Sequence, residues 1–324
     1  MSPLRFFIPV IWLFAGINNV SAQPHEDSAY IRGFNRQNSF EVYTGLYSTE
    51  FKFTKKYDAS QNFKLRVNSS SYLGIDLSYK WLYLQYSFNL PGTQLDSKNN
   101  FKYQLVRFQF GNRKINIQPF YNYYNGLLIP ETGHRRFKPF QGIALSNAGF
   151  DLFYYTNCRK FSSSSANIFS EQQLQSAGAL FFCITPLWQK IYWRKHTRGL
   201  IHDSTTYTLL SSNPEWISLL PGVGYTYNLV PGKDGWLIAP AVLAKIGGLK
   251  EIHPVKRSIQ FLSDLQFWMN VGYSHERYYV YLNASFERLN TNLLIKDMNR
   301  TDMNISLTGG IRFRSLKKKI LGVL

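Results

Sequence analysis

A period-two alternation of apolar with polar or small residues recurs along this chain and constrains its fold more than any other feature. Leu73, Ile75, Leu77 and Tyr79 alternate with Gly74, Asp76 and Ser78. Val223, Tyr225 and Tyr227 alternate with Gly224 and Thr226, and Val280, Leu282, Ala284 and Phe286 with Tyr281, Asn283 and Ser285. Runs at 82–88, 150–154, 267–273 and 305–313 repeat the pattern. Successive side chains of a strand point to opposite faces, so each run reads as a β-strand with one apolar and one polar or small face.

The spacing of these runs carries the argument further. Strands are expected near 38–48, 62–79, 82–90, 100–111, 114–124, 142–157, 172–190, 215–230, 236–247, 258–274, 277–290 and 303–314. Short connections fall at Tyr79-Lys80-Trp81, Gly111-Asn112-Arg113, Cys158-Arg159-Lys160, Pro231–Gly235 and Ser274-His275-Glu276. Long ones fall near 49–61, 91–99, 125–141, 191–214, 248–257 and 291–302. Short periplasmic turns alternating with long outer loops is the pattern of an outer-membrane barrel. The expected fold is therefore an all-β, antiparallel, up-and-down transmembrane β-barrel of about 12 strands, with both termini periplasmic. The stretch 158–171 reads as loop, bulge or strand extension, which leaves the count between about 10 and 14. Strands of about 9–11 residues suffice to cross a bilayer, so the longer ones project above it.

Composition agrees. Aromatic residues make up 17% of the chain, yet mean hydropathy is only −0.24. A membrane barrel combines an apolar outer belt and aromatic girdles with a polar interior, and the average falls near zero. Arg5, the apolar run Phe6–Ile17 and the small residues Val20-Ser21-Ala22 read as a signal peptide, residues 1–22, cleaved near Ala22. That run is too short to span a core of roughly 30 Å as a stable helix. Residues 23–36 read as a flexible periplasmic leader, 37–315 as the barrel and 316–324 as a basic tail. Trp81, Trp188, Trp193, Trp216, Trp236 and Trp268 mostly fall near strand ends, where interfacial aromatics belong.

The net charge is +18, but Lys317-Lys318-Lys319 is the only run of like charge and no nucleic-acid-binding motif is present. The expected partners are instead outer-membrane lipid and lipopolysaccharide, facing basic residues on the barrel rims. A small polar solute, or a partner in secretion or surface assembly, would fit the lumen and the long loops. Cys158 and Cys183 suit an exported chain with no disulfide framework; pairing across strands and two isolated thiols both remain open.

With the large apolar side chains assigned to lipid, a polar set points into the lumen: Asp76, Gln85, Asp151, Lys245, Asp264, Gln266, Asn270, Asn283, Glu287 and Arg312. A satisfied network filling a narrow barrel is favoured over a polar conduit, because buried charges need partners and a barrel of this size has little spare room. Catalytic alternatives find little support. Ser274-His275-Glu276 is the one compact Ser/His/acid cluster, but neighbours on a strand face opposite ways. His196, His202 and Asp203 read as a solvated loop, and the remaining histidines are scattered, so no metal site is expected. Gly247-Gly248 and Gly309-Gly310 mark close packing in strands, and no cofactor is expected.

The stretch Ser78-Tyr79-Lys80-Trp81-Leu82, running on as YLQYSFNLPG, resembles a Bacteroidota family of barrel-like proteins labelled domain of unknown function 4421. Asn147–Tyr155 and Ser176-Ala177-Gly178 fit the same pattern, and the likeness covers roughly 38–314. Cys183-Ile184-Thr185-Pro186 departs from the glycine-rich strand of that pattern, so an irregular strand is expected there. The resemblance implies a barrel and a Bacteroidota source, and no activity. The expected function is thus a non-enzymatic integral outer-membrane barrel: a narrow pore, a ligand-binding barrel or a structural one. An accessory barrel of a secretion or surface-assembly system and a lipid-modifying barrel enzyme are the alternatives.

Overall fold

The computed structural model describes residues 29–314, apart from 37, 56–57, 69–70, 80–81, 100, 132–135, 195–200, 202, 233 and 254–257. The signal-like segment, the start of the leader, the basic tail, Trp81, His196 and His202 lie outside the described residues. Among those described, no helix is long and apolar enough to cross a membrane.

The wall is made of β2 (Asn38–Lys55), β3 (Asp58–Arg66), β4 (Ser71–Tyr79), β5 (Leu82–Asn89), β6 (Lys102–Arg107), β7 (Phe110–Gly111), β8 (Ile115–Pro130), β9 (Phe137–Tyr155), β11 (Ala177–Trp193), β12 (Glu215–Asn228), β13 (Trp236–His253), β14 (Ile259–Ser274), β15 (Tyr278–Asn292) and β16 (Asp297–Phe313). All ladders are antiparallel, and β16 returns to β2 along Asn38–Thr54, so the sheet closes into a transmembrane-type β-barrel. Closure leaves no edge along that join, which is how a sheet survives in lipid.

The ring is uneven. At its upper end β3 lies on β2, and Arg66 pairs with Leu128 of β8. Lower down the chain kinks at Val67-Asn68, and β4 takes the place of β3 beside β2. There β5 lies on β4, while β6 and β7 lie on β8. The expected single strand 62–79 is therefore one path broken by a bend. The parting of β8 from β3 is marked by a bulge at Gly126, whose φ of +86° is open to glycine at no steric cost. The Phe101 ring stands 2.2 Å from where a Cβ would be, so a side chain there is excluded twice over.

Alternation follows the expected faces in the lower half. Leu219, Val223, Phe267, Ile305 and Leu307 are exposed on the outer wall, while Ser218, Thr226, Ser306 and Thr308 are buried inside. The upper half departs from the expected wet interior. Phe51, Phe53, Leu65, Ile143, Trp193 and Trp216 fill it as an apolar core. Phe51, Phe53 and Trp193 sit in stretches read as long loops, which instead continue the strands: β2 runs to Lys55, β8 to Pro130, β11 to Trp193 and β13 to His253. Trp193, Trp216 and Trp268 accordingly face inward rather than lying at an interface, while Trp236 stays exposed outside.

The lower mouth is stopped by the segment 156–176, which is no short turn. It carries α1 (Ser163–Ile168) and β10 (Glu171–Gln173), and β10 pairs with β1 (Ile31–Gly33). Residues 29–36 of the expected leader thus pack on the barrel, with Ile31 and Phe34 buried. The upper mouth is capped by α2 (Ser204–Ser211), which buries Leu209 and Leu210 in the apolar core. β11 runs unbroken through Cys183–Pro186; its ladder to β9 lapses at Thr185 and Pro186 without a change of register. Cys158 and Cys183 are both buried and free.

Candidate functional site

Between the plug below and the apolar core above lies a belt of charge. Lys245 on β13 is buried and central. Its Nζ lies 3.3 Å from Asp151 Oδ1 on β9 and 3.1 Å from Asp264 Oδ2 on β14, and it donates to Thr185 Oγ1 at 3.1 Å. Thr185 donates in turn to Asp151 at 2.5 Å, and Gln266 donates to Asp264 at 2.8 Å. The Cys183 thiol donates to Asp151 at 3.9 Å. Ladder register explains the convergence, since Lys245 stands opposite Asp264.

Round the ring the belt continues. Arg300 on β16 pairs with Glu287 on β15, and its Nε lies 2.7 Å from Asp302. Thr49 on β2 donates to Asp302 at 2.6 Å. On the far side Arg107 of β6 donates to Gln118 at 3.2 Å and approaches Asp151 at 3.8 Å. Each buried ion named in this belt thus has an opposite charge beside it, as burial demands.

A second group pins the plug. Arg312 on β16 bonds the carbonyls of Phe169 and His275 and donates to Ser274 Oγ at 2.9 Å. Its guanidinium lies 3.7 Å from the centre of the Phe34 ring and 4.2 Å from that of Tyr279. Tyr279 bonds Glu41. Phe169 holds a φ of +52°, uncommon for a bulky residue, and stacks on Tyr281 at 4.6 Å. Asn270 donates to Ala166 O at 2.9 Å and accepts from Asn283 at 2.8 Å.

The expected lumen residues therefore divide. Asp151, Lys245, Asp264, Gln266 and Glu287 belong to the belt, while Asn270, Asn283 and Arg312 belong to the plug contacts. Asp76 is buried on β4 opposite Glu41 and Gln85 in register. The side chain of Gln85 lies outside the described residues. Arg300 and Asp302 were assigned by sequence to a loop, and Glu41, Thr49 and Arg107 carried no local signal that separated them from other polar strand residues.

The Ser274-His275-Glu276 cluster borders a cleft of about 430 Å³ at the lower end with Arg32, Gln172, Asp234 and Tyr273. Ser274 is buried and held by Arg312, whereas His275 is exposed and stacks on Tyr278 at 5.3 Å. The three do not form a relay. Among the described residues no group of three His, Cys, Asp or Glu side chains converges as metal ligands would.

No curated protein matches the chain in sequence. Solved structures that resemble it are barrels of the outer membrane. The outer-membrane protease OmpT of Escherichia coli is 8% identical, over 88% of this chain and 100% of that one, with a TM-score of 0.38. An outer-membrane channel of Pseudomonas putida F1 is 9% identical over 87% and 97%, with a TM-score of 0.32. The toluene transporter TodX of P. putida is 6% identical over 86% and 91%, with a TM-score of 0.25. The profile of a domain of unknown function, DUF4421, matches residues 25–313, and the chain belongs to that family.

Proposed function

We propose that this chain is a non-enzymatic barrel of the outer membrane, exported by the segment 1–22, that conducts no solute through its lumen and works instead by binding. One observation carries this reading: the lumen is filled along its length, by the plug, the charged belt and the apolar core in turn. The cavity beside Trp216 and Tyr124 measures about 10 Å³. The apolar outer wall of the lower half supports membrane insertion, because such a surface in water would be an aggregation hazard. Exposed Lys64, Lys138, Lys250 and Arg288 stand on the outer wall above it, where phosphates of lipid and lipopolysaccharide would meet them. The charged wall of the projecting half favours a second role, contact with a surface-assembly partner, which co-purification from the membrane would test.

The purified barrel in a planar bilayer should give no discrete conductance steps. Steady porin-like steps would sink the closed-lumen reading. Its gel mobility should be faster unboiled than boiled, as a folded barrel's is; no shift, together with release into the soluble fraction, would overturn membrane insertion. Lipid cleavage abolished by Ser274→Ala or His275→Ala would overturn the non-enzymatic reading.

A further inference from the structure

The wall has one join without a ladder. β5 pairs with β4 and β6 with β8, but among the described residues nothing pairs β5 with β6. Tyr103 of β6 packs against the apolar core; below it the facing edges lie in the lower half, which the outer apolar belt assigns to the membrane. At its upper end the join has a fixed apex. Asn68 donates to Asp96 O at 2.8 Å and to Asn99 O at 3.2 Å, and accepts from Asp96 N at 2.9 Å. Gln141 bonds Asn99 at 2.8 Å from the other side. The loop between β5 and β6 is thereby tied above the join, and the two strands are free of each other beneath it.

On β5 and β6, runs of consecutive residues are exposed on both faces. Along β12 every second residue is exposed and the ones between are mostly buried. Along β6, Gln104, Leu105, Val106 and Arg107 are all exposed, and so are Tyr86, Ser87 and Phe88 on β5. Leu105 shares the inward face with Tyr103 and Arg107, by register with Asn122 of β8, yet it is 50% exposed. A sealed wall does not expose both faces of a strand. The rim of the opening is apolar outside, where Tyr86 is 66% exposed beside Phe88. Just inside stands Arg107, 52% exposed.

Two physical demands meet at this place. Unpaired backbone groups in hydrocarbon cost several kcal/mol each. A half-exposed arginine at bilayer depth is costly unless something polar covers it. Water-filled pores solve both, but this lumen is closed above and below. A ligand with an acyl chain for the rim and an anionic head for Arg107 solves both from within the bilayer. Arg107 meets Gln118 at 3.2 Å and Asp151 at 3.8 Å through the same nitrogen, which leaves its other N–H groups for that head.

We propose that the β5–β6 join is a lateral portal through which a membrane lipid with an anionic head reaches Arg107, its acyl chain lying over Tyr86, Phe88 and Leu105. The portal rests on the membrane-barrel reading above and supplies the binding that it calls for. It admits from the side what the closed ends exclude.

The test uses the full chain in vesicles of phosphatidylethanolamine and phosphatidylglycerol, with a benzophenone amino acid at Leu105 or, separately, at Val106. Val106 faces outward and should acquire lipid adducts in any membrane barrel. Leu105 faces inward and acquires them only through an opening. Comparable adducts at both positions are expected, with none at inward Leu243. A Ser87→Cys/Leu105→Cys pair, made in a Cys158→Ser/Cys183→Ser background, should close under oxidant and abolish lipid adducts at inward Tyr103. Arg107→Ala should lower the share of phosphatidylglycerol in the Leu105 adduct roughly tenfold, the worth of one charge-assisted hydrogen bond. Adducts at Val106 but not Leu105 overturn the portal and leave the membrane reading standing. Adducts at neither overturn both. An unchanged lipid ratio in Arg107→Ala overturns the anionic-head assignment.

Discussion

The two halves of this barrel have opposite polarity. Strand β2 passes through both and shows the change in one segment. In the lower half its outward residues are Val42, Thr44 and Leu46 and its inward ones Glu41 and Tyr43. In the upper half Glu50 and Lys52 face out and Phe51 and Phe53 face in. Glu50 meets Arg66 at 2.9 Å and Lys64 at 3.6 Å on that outer surface. β16 changes in step: Ile305 and Leu307 are exposed outside below, and Met298 is buried inside above. The lower half is built for lipid outside and polar contacts inside, the upper half for water outside and a packed core within. The charged belt lies where one regime gives way to the other.

The belt is where the largest effect is expected. Lys245→Met removes the cation shared by Asp151 and Asp264 and leaves two carboxylates facing each other in a closed interior. Breaking a buried ion pair from one side costs about 3–5 kcal/mol. Urea unfolding in detergent, followed by the loss of fast gel mobility, should register that loss. Adding Asp151→Asn and Asp264→Asn should recover much of it, because the residual charges, not the missing contacts, carry most of the penalty. No recovery would mean that the belt stabilises by packing alone.

Trp216→Ala tests whether the upper half is a core in the soluble-protein sense. Trp216 is buried, and its Nε1 donates to Gln189 at 3.1 Å. Truncation should cost about 3–4 kcal/mol by cavity formation, measured in the same unfolding experiment. A loss below about 1 kcal/mol would make the upper half a loose cap rather than a core.

The outer surfaces should respond oppositely to charge. Ile305→Lys places an ammonium in the apolar belt and should cost about 2–3 kcal/mol in vesicles. Thr301→Lys, two inward-outward cycles higher on the same strand and opposite Glu50, should fall within about 0.5 kcal/mol of wild type. Equal effects at the two positions would erase the divide.

How far the sequence makes this arrangement legible follows from the same contrast. Period-two alternation is visible wherever one face is apolar and the other polar, as at Leu73–Tyr79, Val223–Tyr227 and Ile305–Phe313. It marks a strand but not which face is inside. Long hydrophobic contrasts in the membrane half therefore read correctly, while Phe51, Phe53 and Trp193 read as loop or interface because their strands continue with inverted polarity. Lys245, Asp151 and Asp264 are legible as inward polar residues. Their meeting is not, because it depends on register across separate hairpins. Arg300 and Asp302 are missed for the same reason as Phe53: the strand was expected to end before reaching them. The portal is not legible in the sequence: Leu105 and Val106 break the alternation of β6, but the opening shows only in the missing ladder to β5 and in the exposure of both faces.

The smallest effect concerns the cap over the upper half, and pH separates it from the rest. Asp203 accepts from the backbone amides of Thr205 at 3.1 Å and Thr206 at 3.2 Å as the N-cap of α2. It also pairs with Lys296, which is fully buried and donates to Thr206 Oγ1 at 2.5 Å. Burial alone would raise the carboxyl, but the hydrogen bonds from Lys296, Thr205 and Thr206 and the charge of Lys296 outweigh it and hold it well below the usual carboxylate range. A group lowered in the folded state stabilises above its unfolded value, about 3.9 for aspartate, and that contribution fades as pH falls through the folded value. Asp203→Asn keeps a capping oxygen and loses the charge, so it should loosen the cap by about 1 kcal/mol at neutral pH. Hydrogen exchange at the Tyr207 amide, which bonds Asp203 O at 2.9 Å, reads the change locally. The gap between variant and wild type should narrow below about pH 4, where the unfolded chain takes up its proton and the charge contribution begins to fade. A gap that stays constant with pH would mean that α2 is held by Leu209 and Leu210 in the core, and that the divide between the halves owes nothing to charge at its upper end.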